Sequence, residues 1–356
     1  MPTLFDPITV GALTLPNRIW MAPLTRTRAL EGSRVPAPLA VEYYAQRAGA
    51  GLIMTEATSV EAMGVGYPNT PGIWSDAQTE GWKPIVKAVH ARGGHIFLQL
   101  WHVGRISDPF FLDGRQPVSA SAIAPKGNVS LLRPAKEFGT PRALETDEVP
   151  GIVAAFRRGA ANAKDAGFDG IEIHGANGYL LDQFLQDGSN KRADKYGGSR
   201  ENRARLMLEV ADACCEVWGS GRVGMHLAPR GDSHSMGDSD LKATFLYVAR
   251  ELGKRKLAFL CAREHQAADS IGPQLREAFG GVYVANEGFT KESGEAALAS
   301  GAADAVAYGK LYISNPDLAE RFKANAPLAE WNLKTFYTPG PAGYTDYPVM
   351  ETAGAA

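Results

Sequence analysis

The run HIFLQLW, residues 95–101, is largely apolar at consecutive positions instead of at every second one. Strands of a parallel sheet covered by helices on both faces have this pattern, whereas a strand with one face in water alternates apolar and polar residues. The chain contains eight runs of this kind: IWMAPLT (19–25), GLIMTEAT (51–58), HIFLQLW (95–101), GIEIHG (170–175), VGMHLAP (223–229), KLAFLCAR (256–263), GVYVAN (281–286) and AVAYGK (305–310). We therefore expect eight buried, parallel strands.

Segments with helical spacing lie between these runs. Residues 76–92 and 147–166 carry apolar side chains three and four positions apart. Ser199 is suited to cap a helix through ENRARLMLEVADACCEVW. Eight strand–helix units predict an α/β fold, a closed (β/α)8 TIM barrel, with an open doubly wound sheet as the alternative.

Two stretches depart from the repeat. Residues 103–146 carry five prolines with interspersed glycines and are too long for a simple connection. We expect them to form an excursion over the barrel mouth after the third strand. Residues 187–198, DGSNKRADKYGG, are expected to form a second polar loop. The end of the chain, about residues 331–356, contains the proline- and glycine-rich stretch 337–348 and is expected to pack on the barrel as a tail. Residues 1–356 are then a single domain.

Charge and cysteine content exclude several classes of partner. The 37 Lys and Arg residues are balanced by 39 Asp and Glu, so the basic excess of a nucleic-acid-binding protein is missing. The three cysteines make no paired framework, and the His and Cys residues show no metal-binding spacing. The chain has neither a secretory signal nor an apolar run near the roughly 20 residues that span a bilayer. We expect a cytoplasmic protein that acts on small molecules, with no membrane or nucleic-acid partner.

Polar side chains gather where the predicted strands end. In a TIM barrel the loops after the strands converge on one face, and that face holds the chemistry. The strand ends supply Thr25, Thr58, Gln99, Trp101, His102, His174, Asn177, His226, Asn286 and Lys310. Carboxylates are few in this set, and no nucleophile stands beside a base. Such a lining favours a polar, planar ligand over a hydrolytic reaction.

The loops after the seventh and eighth strands predict a phosphate site. In many barrels these two loops present backbone N–H groups to an anion. Gly288 and Gly309 stand in them, and Lys310 adds a positive charge. A single glycine would merely turn the chain, but two glycines in the two expected loops favour phosphate.

Several motifs together resemble the old yellow enzyme family of FMN-dependent ene-reductases. They run in order from about residue 4 to residue 350: NRIWMAPLTR, GLIMTEAT, LQLWHVGR, IEIHGANGYLLDQFL, KYGGSRENRARL, LYISNPDL and TFYTPGPAGYTDYP. The combination of HGANGYL, QLWHVGR and YGGSRENR is highly specific. The chain resembles most the bacterial branch that reduces N-ethylmaleimide, nitrate esters and nitroaromatics.

The resemblance implies a role for each strand-end residue. The flavin would be bordered or held by Pro23, Leu24, Thr25, Ala57, Gln99, His226, Asn286, Gly288, Gly309 and Lys310. The Thr25 hydroxyl would bond the ring oxygen beside the reactive N5, Gln99 would meet the pyrimidine edge, and Lys310 would bind the phosphate. Tyr67, Trp101 and Tyr337 would line the substrate site.

The resemblance also assigns the chemistry. Hydride would pass from NADPH or NADH to FMN, and from flavin N5 to an activated C=C bond. His174 and Asn177 would donate to the substrate oxygen, where negative charge develops, and Tyr179 would protonate the other carbon. Taken singly, a histidine or a tyrosine here would be an ordinary packed residue.

Two positions depart from the family pattern. Many members carry arginine on the fifth strand where this chain has His226, and a histidine supplies that charge only when it is protonated. Many also carry arginine where Lys310 stands, and lysine binds phosphate without the bidentate fork. Two other functions stay open at this point: a phosphate-binding barrel lyase or isomerase without flavin, and a flavin-binding protein without turnover. The protein is expected to be a monomer or a homodimer.

Overall fold

A computed structural model describes residues 1–231 and 233–350. Within these ranges the chain forms the strands β1 (Ile8–Val10), β2 (Leu13–Leu15), β3 (Ile19–Met21), β4 (Ile53–Met54), β5 (Thr58–Ser59), β6 (Ile96–Trp101), β7 (Val118–Ser119), β8 (Arg142–Ala143), β9 (Gly170–His174), β10 (Val223–Leu227), β11 (Phe259–Arg263), β12 (Val282–Asn286) and β13 (Ala305–Tyr308). It also forms the helices α1 (Leu39–Ala45), α2 (Asp76–His90), α3 (Val149–Asp165), α4 (Leu180–Leu185), α5 (Arg200–Trp218), α6 (Leu241–Lys254), α7 (Gly272–Phe279), α8 (Lys291–Ala299), α9 (Lys310–Ser314) and α10 (Leu318–Ala324). None of the helices in the described ranges is long and apolar enough to cross a membrane.

Eight parallel strands close into a barrel. Their order is β3, β4, β6, β9, β10, β11, β12 and β13, and β13 pairs again with β3. Each of the eight predicted runs contains one of these strands, so the TIM barrel is confirmed and the open sheet is excluded. The predicted helices are present as α2, α3 and α5, and the Ser199 side chain accepts a hydrogen bond from Asn202 N at the start of α5.

Side chains alternate between the two faces of the barrel wall, because successive residues of a strand point to opposite sides. On β9, Ile171 and Ile173 pack outward among the helices, while Glu172 and His174 lie on the other face. The inner row of β11 is Phe259, Cys261 and then Arg263. The barrel interior is therefore apolar near the strand starts and becomes polar toward the strand ends.

The hairpin of β1 and β2, which the sequence reading did not predict, closes the end of the barrel opposite the mouth. Its residues Ile8, Val10 and Leu15 belong to the same buried cluster as Trp20 and Phe259. The backbone N–H of Ala12 donates to Gly221 O, just before β10 begins. The chemistry is thereby restricted to the other end of the strands.

The mouth is lined by parts of the two irregular segments. From residues 103–146, Val129 and Phe138 pack beside Trp101. From the end of the chain, residues 335–343 lie against two buried arginines: Arg26 donates to the carbonyls of Phe336 and Gly343, and Arg28 to those of Thr335, Phe336, Gly340 and Ala342. The last six residues of the expected tail, 351–356, lie outside the described part of the chain.

Candidate active site

A buried polar layer crosses the barrel below its mouth. Gln99 Nε2 donates to Glu172 Oε2 at 2.8 Å, and His226 Nδ1 lies 3.3 Å from Glu172 Oε1 without hydrogen-bond geometry. Strand register places His226 level with Cys261 on one side and His174 on the other. The side chains of Glu172, His226 and Cys261 bring potential metal-ligand atoms within 4.8 Å of one another, a grouping that the sequence spacing did not reveal.

The last residue of β9 is the predicted substrate-binding histidine. His174 is 6 % exposed, and its Nδ1 accepts a 3.3 Å hydrogen bond from the Ala176 backbone N–H. Burial, reinforced by His226 and Arg263, holds the pKa of His174 well below its usual value. The ring is therefore neutral with its proton on Nε2, and that nitrogen is a donor.

Asn177 follows in the same turn and is fixed by two contacts. Its backbone has a left-handed φ of 58°, which asparagine tolerates better than most residues, and its carbonyl oxygen is 2.7 Å from His234 Nδ1. Its side-chain Oδ1 accepts a 2.9 Å hydrogen bond from Arg263 Nη1. The Nδ2 group of Asn177 is left to donate elsewhere.

Tyr179 lies between aromatic rings at the mouth. Its ring meets those of Trp101 and His174 edge to face, each at 4.9 Å, and its hydroxyl is 2.8 Å from the hydroxyl of Tyr67. Burial and the neighbouring Tyr67 raise the pKa of Tyr179 well above the usual value, and burial also raises that of Tyr67. Tyr179 therefore stays protonated at neutral pH.

The remaining predicted residues surround this centre or lie at its edge. Ala57 belongs to the buried cluster of Trp101, whereas Pro23, Leu24 and Thr25 are half-buried at the end of β3. The amide of Asn286 is already used, since its Nδ2 donates to Ala307 O at 2.7 Å. Tyr337 is 49 % exposed and is more open than the other two predicted substrate-lining residues, Tyr67 and Trp101.

The two phosphate-loop glycines have open space around them. A Cβ placed on Gly288 would meet one atom within 4 Å, and a Cβ on Gly309 would make only ordinary contacts with Leu24. Gly288 also has a φ of 77°, which disfavours a side chain. Lys310 is exposed, with its ammonium 5.8 Å from the Trp331 ring.

A family model described as the NADH:flavin oxidoreductase / NADH oxidase family matches residues 3–329. The chain belongs to this family. Among curated relatives, this NADH:flavin oxidoreductase family member is 45 % identical to 12-oxophytodienoate reductase 2 of Arabidopsis thaliana, over 98 % of the chain and 96 % of the relative. It is 44 % identical to putative 12-oxophytodienoate reductase 11 of Oryza sativa subsp. japonica, over 98 % and 97 %.

Two solved structures are similar over nearly the whole chain. An old yellow enzyme homologue from Zymomonas mobilis is 44 % identical with a TM-score of 0.95, covering 98 % of this chain and all of that one. Morphinone reductase in complex with tetrahydroNAD is 47 % identical with a TM-score of 0.96, covering all of both chains. The expected old yellow enzyme family, and its bacterial branch, are confirmed.

The family decides between the functions left open. This NADH:flavin oxidoreductase family member is an FMN-dependent NAD(P)H ene-reductase. Neither the lyase or isomerase alternative nor a flavin-binding protein without turnover agrees with that assignment. The described residues also fit a flavin, because four of the eleven buried side-chain N or O atoms that lack a partner in the described residues lie here: Trp101 Nε1, Glu172 Oε1 and both ring nitrogens of His226.

Three residues of this centre were missed by the sequence reading. Arg263 and Glu172 stand on predicted strands, and strand alternation alone would have placed both inside the barrel. Arg263 ends the sixth predicted strand, which none of the predicted site residues occupies. His234 had no comparable signal, because it belongs to a loop after β10 and reaches Asn177 only through the fold.

Proposed function

We propose that this ene-reductase acts on enones and maleimides, and also on nitrate esters or nitroaromatics, with His174, Asn177 and Tyr179 in direct contact with the substrate. The observation that carries the proposal is the arrangement of one turn. Its Ala176 contact leaves His174 Nε2 as a donor, its Arg263 contact leaves Asn177 Nδ2 as a donor, and the Tyr179 hydroxyl stands beside them.

The chemistry that bound FMN supplies is hydride transfer, from NAD(P)H and then to the electron-poor substrate. His174 and Asn177 hold the carbonyl or nitro oxygen and stabilise the negative charge that grows there during transfer, which is when two aimed donors matter most. Tyr179 gives its hydroxyl proton to the carbon next to the carbonyl group. A neutral phenol is a suitable weak acid for that step.

The residues assigned to FMN divide by the part of the cofactor they suit. Thr25 and Gln99 offer hydrogen-bonding groups for the ring, with Pro23, Leu24 and Ala57 as apolar neighbours. Asn286 completes the ring-side set, and His226 offers a nitrogen to its edge. Gly288, Gly309 and Lys310 would hold the phosphate. Tyr67, Trp101 and Tyr337 would line the substrate side.

The preferred coenzyme and the assembly belong to the same proposal. Morphinone reductase, whose solved structure holds tetrahydroNAD, supports a nicotinamide donor, and either NADPH or NADH is compatible. We assign a cytoplasmic location, a single domain and a monomeric or homodimeric state.

A visible spectrum of the purified protein tests the proposal. The protein should be yellow, release FMN on denaturation, lose its colour with NADPH and regain it with cyclohexenone. His174→Ala combined with Asn177→Ala should weaken phenol binding and slow enone reduction more than it slows flavin reduction. A protein that stays colourless after incubation with FMN, or a double variant that reduces cyclohexenone at the wild-type rate, would refute it.

A further inference from the structure

Arg263 reaches the active-site turn from the far end of β11. It is the last residue of the strand, on the inner row that continues from Phe259 and Cys261. Its guanidinium donates from Nη1 to Asn177 Oδ1 and from Nη2 to Glu287 Oε1, both at 2.9 Å. Asn177 is 86 residues earlier in the chain, so only the fold brings the two together.

The contact determines which way the Asn177 amide faces. The oxygen and the NH2 group of an asparagine have nearly the same shape, and the side chain can present either one. Arginine has five donors and no acceptor, so the group that faces Arg263 must be Oδ1. The NH2 group is then turned away from Arg263, toward the site. With the opposite orientation, Asn177 would present an acceptor to an oxygen that is gaining negative charge.

The backbone of the turn does not depend on Arg263. The Asn177 carbonyl is held by His234 Nδ1 at 2.7 Å, and the Gly178 N–H donates to Asp182 Oδ2 at 2.8 Å. Loss of Arg263 would therefore free the side-chain amide of Asn177 while the turn keeps its shape.

The guanidinium itself is held in place. Glu287 binds its other Nη atom, and the two side chains are 37 % and 36 % exposed. When the oxygen of an amide group accepts a hydrogen bond from a cation, the amide is polarised and its NH2 group becomes a stronger donor. The charge of Arg263 thus acts on the substrate oxygen through the amide.

We propose that Arg263 is a positioning residue of the active site, which orients and polarises the Asn177 amide so that its NH2 group stabilises the substrate oxygen. The proposal rests on the substrate-binding role of Asn177 put forward above. In this role, Arg263 gives the site a fixed positive charge on β11. The neighbouring strand β10 carries His226 at the position where many family members have arginine.

A double-mutant cycle tests the coupling. The dissociation constant of 4-chlorophenol is measured on the oxidised holoenzyme for wild type, Asn177→Ala, Arg263→Gln and the double variant. Asn177→Ala should weaken binding about tenfold or more, because it removes a donor to the charged phenolate. Arg263→Gln should weaken it about fivefold, because the Asn177 donor remains but is no longer polarised by a cation. The double variant should bind no more weakly than Asn177→Ala. Arg263→Gln should also move the ionisation of the bound phenol to higher pH.

Arg276→Gln is the matched control. Arg276 is 38 % exposed and pairs with Asp304 at 2.9 Å, but it has no contact with the turn in the described structure. It should leave both the affinity and the ionisation unchanged. Arg263→Met replaces the glutamine variant if the latter does not fold, with the same expected coupling.

The outcomes separate this inference from the proposed function. If Asn177→Ala binds the phenol normally, the proposed role of Asn177 is wrong. If Asn177→Ala weakens binding but Arg263→Gln does not, only the role of Arg263 is wrong. If Arg263→Gln lowers phenol affinity equally in the presence and absence of the Asn177 side chain, the role of Arg263 is also wrong, because its effect would not pass through the amide.

Discussion

Tyr179 combines aromatic packing with a hydrogen-bonded hydroxyl group. It is packed edge to face between Trp101 and His174, yet its hydroxyl meets a second hydroxyl, that of Tyr67. Burial raises the pKa of Tyr179 well above its usual value, so it loses no proton across the working pH range. The residue therefore remains a proton donor under conditions in which an exposed phenol would begin to ionise.

Tyr179→Phe should separate binding from protonation. The ring and its packing are kept, so phenol affinity should change by about fivefold or less, because one neutral hydrogen bond contributes about 1 kcal/mol. Reoxidation by cyclohexenone should slow about a hundredfold, the lower range for a positioned acid. Stopped-flow measurement of both half-reactions gives the result, with Tyr196→Phe as control, since that hydroxyl bonds Glu209 on α5. Reoxidation at the wild-type rate would remove Tyr179 as the donor.

His226 lies on β10, the fifth strand of the barrel, where many family members have arginine. Both of its ring nitrogens lack a hydrogen-bond partner in the described residues, and Glu172 lies 3.3 Å away. Arginine carries a permanent positive charge and histidine does not, so the midpoint potential of the bound flavin should depend on pH more steeply in the wild type than in His226→Arg. His226→Arg should raise the potential at alkaline pH and change it less at acidic pH. Parallel curves of midpoint potential against pH for the two proteins would contradict this prediction.

The site residues His174, Asn177 and Tyr179 were predictable from the sequence because they stand at or just after the end of a predicted strand. His174 is the last residue of the buried strand β9, and Asn177 and Tyr179 follow it within a glycine-containing turn. Arg263, Glu172 and His234 act through partners 24 to 86 residues away, and no local pattern carries that pairing.

At the scale of elements, the turn between β9 and α4 is held by the helix that follows it. Asp182, on α4, accepts hydrogen bonds from the Gly178 N–H and from Gln186 Nε2. Burial raises the pKa of Asp182 to about 7, so its carboxyl group is partly protonated near neutral pH. The turn that carries Asn177 and Tyr179 is thus supported by a group that titrates.

Asp182→Asn should change how stability depends on pH. Because the folded-state pKa lies above the ordinary 3.8, folding favours the protonated acid. This contribution is present below pH 3.8 and is lost as the pH rises through about 7. The wild type should lose stability relative to the variant between pH 4 and 8, by on the order of 4 kcal/mol at most. Urea unfolding at several pH values measures it. Asp113→Asn changes a side chain that is 93 % exposed, and it should leave the dependence of the free energy of unfolding on pH as in the wild type. The same dependence in wild type and Asp182→Asn would contradict the prediction.

The elements differ in how far the sequence revealed them. The eight barrel strands were predictable because burial on both faces leaves an unbroken apolar run. The hairpin of β1 and β2 was not, because each strand is three residues long, too short for a pattern, and only the barrel floor gives them a partner. The strands β7 and β8 inside the excursion are also too short for a pattern, at two residues each, and they pair only with each other in the described residues.

For the molecule as a whole, binding of FMN should add to the stability of the fold. Adding FMN to the apoprotein at a hundred times its dissociation constant should stabilise the fold by about 2.7 kcal/mol, provided that the unfolded chain does not bind it. Riboflavin at the same concentration should stabilise less, because it lacks the phosphate that Gly288, Gly309 and Lys310 would hold. Thermal unfolding with each ligand measures the difference, and Lys310→Met should reduce it. Equal stabilisation by the two ligands would contradict a phosphate site in these loops.

The two arginines that follow the first barrel strand have a consequence for synthesis. Arg26 is fully buried, and its carbonyl partners at Phe336 and Gly343 lie 310 and 317 residues later. During translation the barrel strands leave the ribosome one after another, but Arg26 has no such acceptors until the last of these carbonyls has emerged. Because a domain folds as a unit, this side of the mouth can be completed only after residues 336–343 have emerged. A nascent chain that stalls at residue 330 would hold all eight strands and still leave the loop beside Thr25 open.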